Sequence, residues 1–389
     1  MPPHILKALL QNGSPEQRER ARTALLSTTA LRADRRFTAR LGFIAPVSGA
    51  GKQRKVYDCQ HEPTTRGATL VRRETDGHTN DPAVNEAFNG VGKTYDFYSQ
   101  VFQRNSVDNA GMELASYVHY GTNYDNAMWD GRRMIFGDGD NQLFSRLTQS
   151  LDVIGHELTH GVTQYSANLE YRGQSGALNE SISDVFGSLV KQWALSQTAD
   201  RADWLIGADC WTPNINGDAL RSMKNPGSAY NDPLIGKDPQ PGHMRDYVAL
   251  PETPDDDMGG VHINSGIPNH AFYLFATAIG GFAWETAGQV WYEALQRSKK
   301  DTNFEQFANL TFSVAGENVD AATQQAVQSA WAEVGIMVSK KERNHPGKAG
   351  VRSEQAHNDL AEAIGRLAAQ VGILQKDIDF LKQSANQPH

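Results

Sequence analysis

The sequence predicts an α+β protein of two lobes, a β-rich lobe followed by a helical one, with a short unit in front and a lone helix behind. Three patterns predict it. Between Arg54 and about Asp140, the β-favouring runs "KVYDCQ", "ATLVRRE" and "RRMIFGDGD" are bounded by Gly, Asp and Asn. Beyond Leu143 the period becomes mostly helical, interrupted by Gly/Pro/Asp-rich loops at residues 214–218 and 225–241. Near the C-terminus, Leu360, Ile364, Leu367, Val371, Leu374, Ile378 and Leu381 alternate by four and three, the spacing of a coiled-coil seam.

Residues 1–52 form the leading unit. Within it "SPEQRERARTALLSTTALRADRRF" (residues 14–37) opens on a cap-like Ser14-Pro15-Glu16 and reads as a basic amphipathic helix, its charges expected on a solvated surface. "PVSGAGKQRK" (residues 46–55) is a joint without periodicity. A small unit, a joint and a larger protein is the arrangement of a removable prosegment. Residues 53–165 make the β-rich lobe, which also holds a helical stretch at 81–102 with Val84, Phe88, Val91 and Tyr95 on one side. Residues 166–338 make the helical lobe, 339–352 a polar linker and 353–385 the coiled-coil helix. Leu at each d position with Ile, Val and Ile at three a positions favours a parallel homodimer through residues 360–381.

At 389 residues, with 39% hydrophobic and 21% charged residues, the chain has the composition of a globular protein with sizeable cores. A net charge of −8 argues against nucleic acid as a partner. The two cysteines, Cys59 and Cys210, allow at most one disulfide. "MPPHILKALLQNG" lacks the pattern of a secretory signal, and the most apolar later run, "AFYLFATAIGGFA", is too short for a membrane span of ~20 residues. The expectation is therefore no membrane partner, and either secretion by a route without a recognisable signal peptide or a cytoplasmic location.

The chemistry centres on "LDVIGHELTHGVTQ" (residues 151–164). On an α-helix of ~3.6 residues per turn, His156 and His160 lie on nearly the same face and can aim imidazole nitrogens at one ion. Glu157 sits about 100° round, beside the ion rather than on it. An accidental H-E-x-x-H arises in roughly two per cent of chains of this composition, so a second signal is needed. "ALNESISDVFGSLVKQW" (residues 177–193) supplies it: a helical stretch with Glu180 near its start, nineteen residues lying between it and His160, offers the third ligand that hydrolytic zinc requires. Asp184 lies one turn on from Glu180. Asp184 and Asn179 can accept from the outer ring nitrogens of His156 and His160, fixing their tautomers.

These blocks resemble the thermolysin-like neutral metalloproteases, and the resemblance runs from about Arg54 to Met337. "DNAMWDGRRMIFGDGD" is similar to the family's edge-strand block, and "INGDALRSM" and "GGVHINSGIPNHAFY" match two further blocks. The interval to the third ligand, and the lack of a G-x-M-E-N block, separate the chain from the zinc aminopeptidases. The resemblance implies a zinc endopeptidase with one catalytic Zn(2+) between the two lobes. It implies Glu157 as general base, His262 as second catalytic group oriented by Asp257, and Tyr171 assisting at the oxyanion. It also implies Arg221 on a substrate carbonyl, Asn126 and Ala127 pairing with the peptide backbone, and an apolar pocket of Phe144, Leu147, Val153 and Leu220. Cleavage before bulky hydrophobic residues of peptide and protein substrates follows. The start "PPHILKALL" and the short prosegment resemble the protealysin branch, in which the prosegment blocks the cleft as an intramolecular inhibitor until it is cut away; here the cut would fall within residues 48–55.

Where relatives carry acidic ligands for a paired calcium site, this chain keeps Asp152 and Asp203 but has Lys191, Leu205 and Ala208, so that site is expected to be lost. A second calcium loop is better kept in "WTPNINGD", where Thr212 and Asp218 with the carbonyls of Trp211 and Ile215 could hold one ion. The competing functional reading is an inactive pseudo-protease scaffold assembled through its coiled coil. Retention of Glu157, Tyr171, Arg221 and His262 speaks against it.

Overall fold

A computed structural model describes residues 2–41 and 51–338. The described residues belong to one compact unit. The linker, the coiled-coil helix, its dimer seam and most of the joint before Gly51 lie outside the described residues.

Two helices open the chain, α1 (Pro3–Asn12) and α2 (Pro15–Leu41). Ile5, Leu6 and Leu9 of α1 are buried. Their i, i+1, i+4 spacing is a helical stripe, hidden in the sequence by its brevity. Five strands follow: β1 (Arg54–Asp58), β2 (Thr69–Arg73), β3 (Leu114–Val118), β4 (Ala127–Trp129) and β5 (Met134–Phe136), in the order β2-β1-β3-β5-β4. The central β1, β3 and β5 run parallel, and the edges β2 and β4 are antiparallel to their neighbours. Against the sheet lies α3 (Pro82–Phe102), capped by Asp81, whose carboxylate accepts the Ala83 amide at 2.8 Å. Val84, Phe88 and Val91 are buried on its inner side, and Tyr95 is only half buried.

The second half is helical. α4 (Leu151–Gln164) and α5 (Gly173–Leu195) run through the middle, followed by α6 (Asp257–Asn264), α7 (Gly266–Ile279), α8 (Thr286–Arg297), α9 (Phe304–Asn318) and α10 (Ala321–Glu333). α4 and α5 approach through Gly155 and Gly187. A Cβ on Gly187 would stand 2.4 Å from the Asp152 carbonyl oxygen, and one on Gly155 3.0 Å from the Gly187 Cα. Any larger residue would push apart the two helices that carry the histidines and Glu180. Trp291 of α8 stacks on Trp331 of α10 with ring centroids 5.7 Å apart, anchoring the helical core. Cys59 and Cys210 are both buried free thiols, so the disulfide that the count allows is not formed. No described helix is long and apolar enough to cross a membrane.

Candidate active site

The H-E-x-x-H run lies in α4 and Glu180 in the first half of α5. Both histidines turn Nε2 to the Glu180 carboxylate, His156 at 3.4 Å from Oε2 and His160 at 3.4 Å from Oε1. The three ligand atoms lie within 4.8 Å of one another, and all three residues are buried. Outer contacts fix the rings. His156 Nδ1 is 2.8 Å from Asp184 Oδ1, and His160 Nδ1 is 2.7 Å from Asn179 Oδ1. Ser183 adds a contact to the same His160 nitrogen at 3.0 Å.

The electrostatics suit a cation. Burial is the largest influence on Glu180 and opposes its charge, but His262, His160 and His156 together hold it ionised, well below the usual carboxylate range. Burial, and then Arg35, keep His160 neutral, the form that ligates. His156 is pushed up to about 9, because Asp184 and Glu180 outweigh the burial that disfavours its charge. Two imidazoles and a carboxylate, oriented by a carboxylate and an amide and open on one side to a cavity, fit catalytic zinc.

Around the triad stand the other predicted residues. Glu157 does not join the ligand cluster; its Oε2 accepts the backbone amide of Trp129 on β4 at 2.9 Å. α6 begins with an unusual turn in which Asp257, Met258, Gly259 and Gly260 all have positive φ. Two glycines make that path affordable in conformational terms. It returns Asp257 onto His262, with Oδ1 2.6 Å from Nδ1 and Oδ2 accepting the His262 amide at 2.8 Å. Tyr171 Oη lies 3.3 Å from His262 Nε2 and also donates to Glu180. Burial, then the Glu180 charge, hold its phenol well above its ordinary value, so it remains a proton-bearing donor. Arg221, placed by the short pairing of Leu205–Ile206 with Arg221–Ser222, donates from Nε and Nη2 to Asp184 at 2.8 and 2.6 Å. Asn126, Ala127, Leu147, Val153, Leu220 and Arg221 line the same cavity as the triad, Glu157, Tyr171 and His262.

Three expectations need correction. Phe144 does not line the cavity: it is fully buried behind the wall against Trp211, with ring centroids 5.1 Å apart. The charges of α2 are not all at a solvated surface. Arg32 Nη2 is 3.0 Å from His262 Nε2, and Arg35 sits 4.3 Å over the Tyr171 ring. Both line the cavity together with Pro2. Arg32 and Arg35 are one helical turn apart, a spacing visible in the sequence, but nothing there says which face is buried. Thirdly, the loop at 211–218 offers no support for calcium. The Thr212 hydroxyl donates to the Gln142 carbonyl, and the Trp211 carbonyl accepts from Ser145 at 3.4 Å. Near Asp152, Lys191 Nζ donates to Asp152 Oδ2 at 2.7 Å and to the Leu205 carbonyl at 2.8 Å, and lies 3.1 Å from Asp203 Oδ1.

A β-rich lobe and a helical lobe, with a buried His-His-Glu metal site between them, define a zinc metalloendopeptidase. Residues 47–164 match the catalytic domain of thermolysin metallopeptidase and residues 167–336 its alpha-helical domain. The chain belongs to the thermolysin metallopeptidase family, in its protealysin-like branch. It is 46% identical over 343 residues to an extracellular metalloprotease of Pectobacterium carotovorum, covering 88% of this chain and 97% of the relative. It is 45% identical over 349 residues to protease PrtS of a Photorhabdus species, covering 88% and 93%. The precursor of protealysin, a metalloproteinase from Serratia proteamaculans, superposes with a TM-score of 0.78 at 47% identity, over 86% of this chain and 98% of that one.

Proposed function

We propose that this endopeptidase cuts peptide bonds on the N-terminal side of bulky hydrophobic residues and is made as a precursor inhibited by residues 1–52. The observation that carries the reading is one cavity holding the metal triad, Glu157 and the His262–Tyr171 pair together with Arg32 and Arg35 of α2. Zinc bound by His156, His160 and Glu180 supplies Lewis acidity, polarising the scissile carbonyl and acidifying water. Glu157 takes the proton of the attacking water and delivers it to the leaving amine. Its anchored Oε2, held by the Trp129 amide, leaves the other oxygen for that task. His262, fixed by Asp257, and Tyr171 donate to the developing oxyanion. Arg221 holds a substrate carbonyl, and Asn126 and Ala127 on the edge of the sheet pair with the substrate backbone. Leu147, Val153 and Leu220 receive the bulky side chain after the cut. That Asn126 Nδ2 now donates to Thr28 of α2 at 3.0 Å supports competition between α2 and substrate for the same edge.

An extracellular site of action is part of the proposal, supported by likeness to a relative named extracellular; fractionation of the producing cells tests it. Residues 353–385 are proposed to form a homodimeric coiled coil, and light scattering of the full chain against a truncation at Gly350 tests that. The central reading is tested by digesting casein and a small peptide, with and without a zinc chelator, and mapping the cuts. Expected are cuts before Leu, Phe and similar residues, abolished by chelation and restored by zinc. Cuts insensitive to chelator would overturn it.

A further inference from the structure

Parallel neighbouring strands deliver whatever follows each of them to the same edge of a sheet. Here β1, β3 and β5 are such neighbours, with Asp58 level with Val118 and Tyr117 level with Ile135. Shortly after their ends come His61, His119 and Asp138. The His61 amide donates to the His119 carbonyl at 2.9 Å, tying the first two segments together. His119 Nδ1 lies 2.8 Å from Asp138 Oδ2, and His61 Nδ1 lies 3.5 Å from that same oxygen. One ligand atom from each residue falls within 4.8 Å of the others. Among the described residues, only this cluster and the catalytic triad bring His, Cys, Asp and Glu together in that way.

We propose that His61, His119 and Asp138 form a second site for a divalent metal of borderline softness, zinc by preference. Two imidazoles and one carboxylate select zinc-like ions over calcium or magnesium, which favour all-oxygen cages. Asp81, the cap of α3, is the positioning residue. Its Oδ2 lies 2.8 Å from His119 Nε2, so that nitrogen donates to Asp81 while Nδ1 faces Asp138 and His61. A carboxylate behind a metal-binding histidine fixes its tautomer and raises its basicity. The site is half open, with His61 exposed and His119 and Asp138 partly buried, leaving the remaining coordination positions to water. Its competitor is a proton. A protonated His119 bridging Asp81 and Asp138 compensates only one of the two carboxylates, whereas a divalent ion on a neutral ring compensates both. With His61 exposed, where the catalytic ligands are all buried and held by outer contacts, this site should be weaker than the catalytic one. A bound ion would staple the turn after β1 to the segments that follow β3 and β5.

The test is zinc stoichiometry on the full chain. After removal of metal, the protein is equilibrated with rising zinc and the bound metal is counted. Two equivalents are expected, the second filling at higher zinc. His61→Ala, a change at an exposed side chain, should lose the second equivalent alone and, once residues 1–52 are cut away, leave peptide turnover at one equivalent unchanged. Crystals soaked in zinc should give an anomalous peak between the three side chains. Saturation of the wild type at one equivalent, or a second equivalent that survives His61→Ala, overturns the proposal.

Discussion

Arg32 Nη2 lies 3.0 Å from His262 Nε2, and Asp257 Oδ1 lies 2.6 Å from the opposite nitrogen of the same ring. A guanidinium has no acceptor, so Nε2 must accept from it and the ring proton sits on Nδ1, facing Asp257. A ring held in that form offers a lone pair where an oxyanion needs a donor. α2 therefore fills the cleft and also occupies, through Arg32, the His262 nitrogen that would face the oxyanion.

Arg32→Ala should weaken inhibition by the N-terminal segment. Loss of one hydrogen bond to a charged group is worth about 2 kcal/mol, or ~30-fold in inhibition constant. A peptide of residues 1–50 added to processed enzyme would be compared with its Arg32→Ala form. Equal inhibition by the two peptides would remove Arg32 from the inhibitory contact. The processed enzyme, which lacks Arg32, serves as the common target.

Glu157→Ala should retain zinc and lose hydrolysis, because Glu157 stands beside the ligand cluster and not in it. General-base catalysis contributes typically ~10²–10⁴-fold, and a loss of that order in kcat is expected with the catalytic zinc still bound. Metal content and peptide turnover are measured on the same preparation. The variant should also accumulate uncut if the chain matures itself. Near wild-type turnover would refute the assigned role.

Lys191 lies where its ammonium bridges Asp152 and Asp203, and Asp152 is 1% exposed. Burial is the largest influence on Lys191 and opposes its charge, yet Asp152 and Asp203 raise its pKa above the ordinary value. The ammonium therefore remains charged and does the work of a bound cation. Millimolar calcium should leave the melting temperature unchanged through this site. Lys191→Ala strips a buried carboxylate of its partner and should cost about 3 kcal/mol. Calcium should then restore part of the loss in the variant. A calcium-dependent rise in the wild type that disappears in Asp152→Asn would contradict this.

Much of this site was legible because its chemistry is written in fixed intervals. The i, i+4 histidines of α4, Glu180 on the next helix and Asp184 one turn beyond follow directly from helix geometry. The apolar face of α3 was legible for the same reason. Contacts between distant segments were not. No local pattern says that Trp129 offers its amide to Glu157, that Thr28 meets Asn126, or that Phe144 lies behind the wall and not in it. β3 was missed because its inward positions alternate Leu114, Ser116, Val118. A polar residue on the buried face breaks the period-2 signal.

Asp125 carries the last prediction. It is 3% exposed, its Oδ1 lacks a hydrogen-bond partner, and it stands beside Asp140. Asp140 is well satisfied, accepting the amides of Gln142, Leu143 and Phe144 and lying 3.3 Å from Arg20 of α2. Burial first, and then the charge of Asp140, hold the Asp125 carboxyl well above the usual range, with Arg20 only partly offsetting them. A carboxyl whose folded pKa is raised binds more protons folded than unfolded, so its ionisation lowers stability as pH rises. The penalty is absent below the unfolded value of about 3.9 and grows as pH climbs through the folded value. Asp125→Asn, similar in shape and uncharged, should therefore raise the melting temperature at neutral pH, with the gain vanishing near pH 3. Removal of residues 1–52 takes Arg20 away, so the gain should be larger in the processed enzyme than in the precursor. Thermal melts of both forms from pH 3 to 8 measure it. A gain that is independent of pH would mean that packing, and not the charge of Asp125, governs the site.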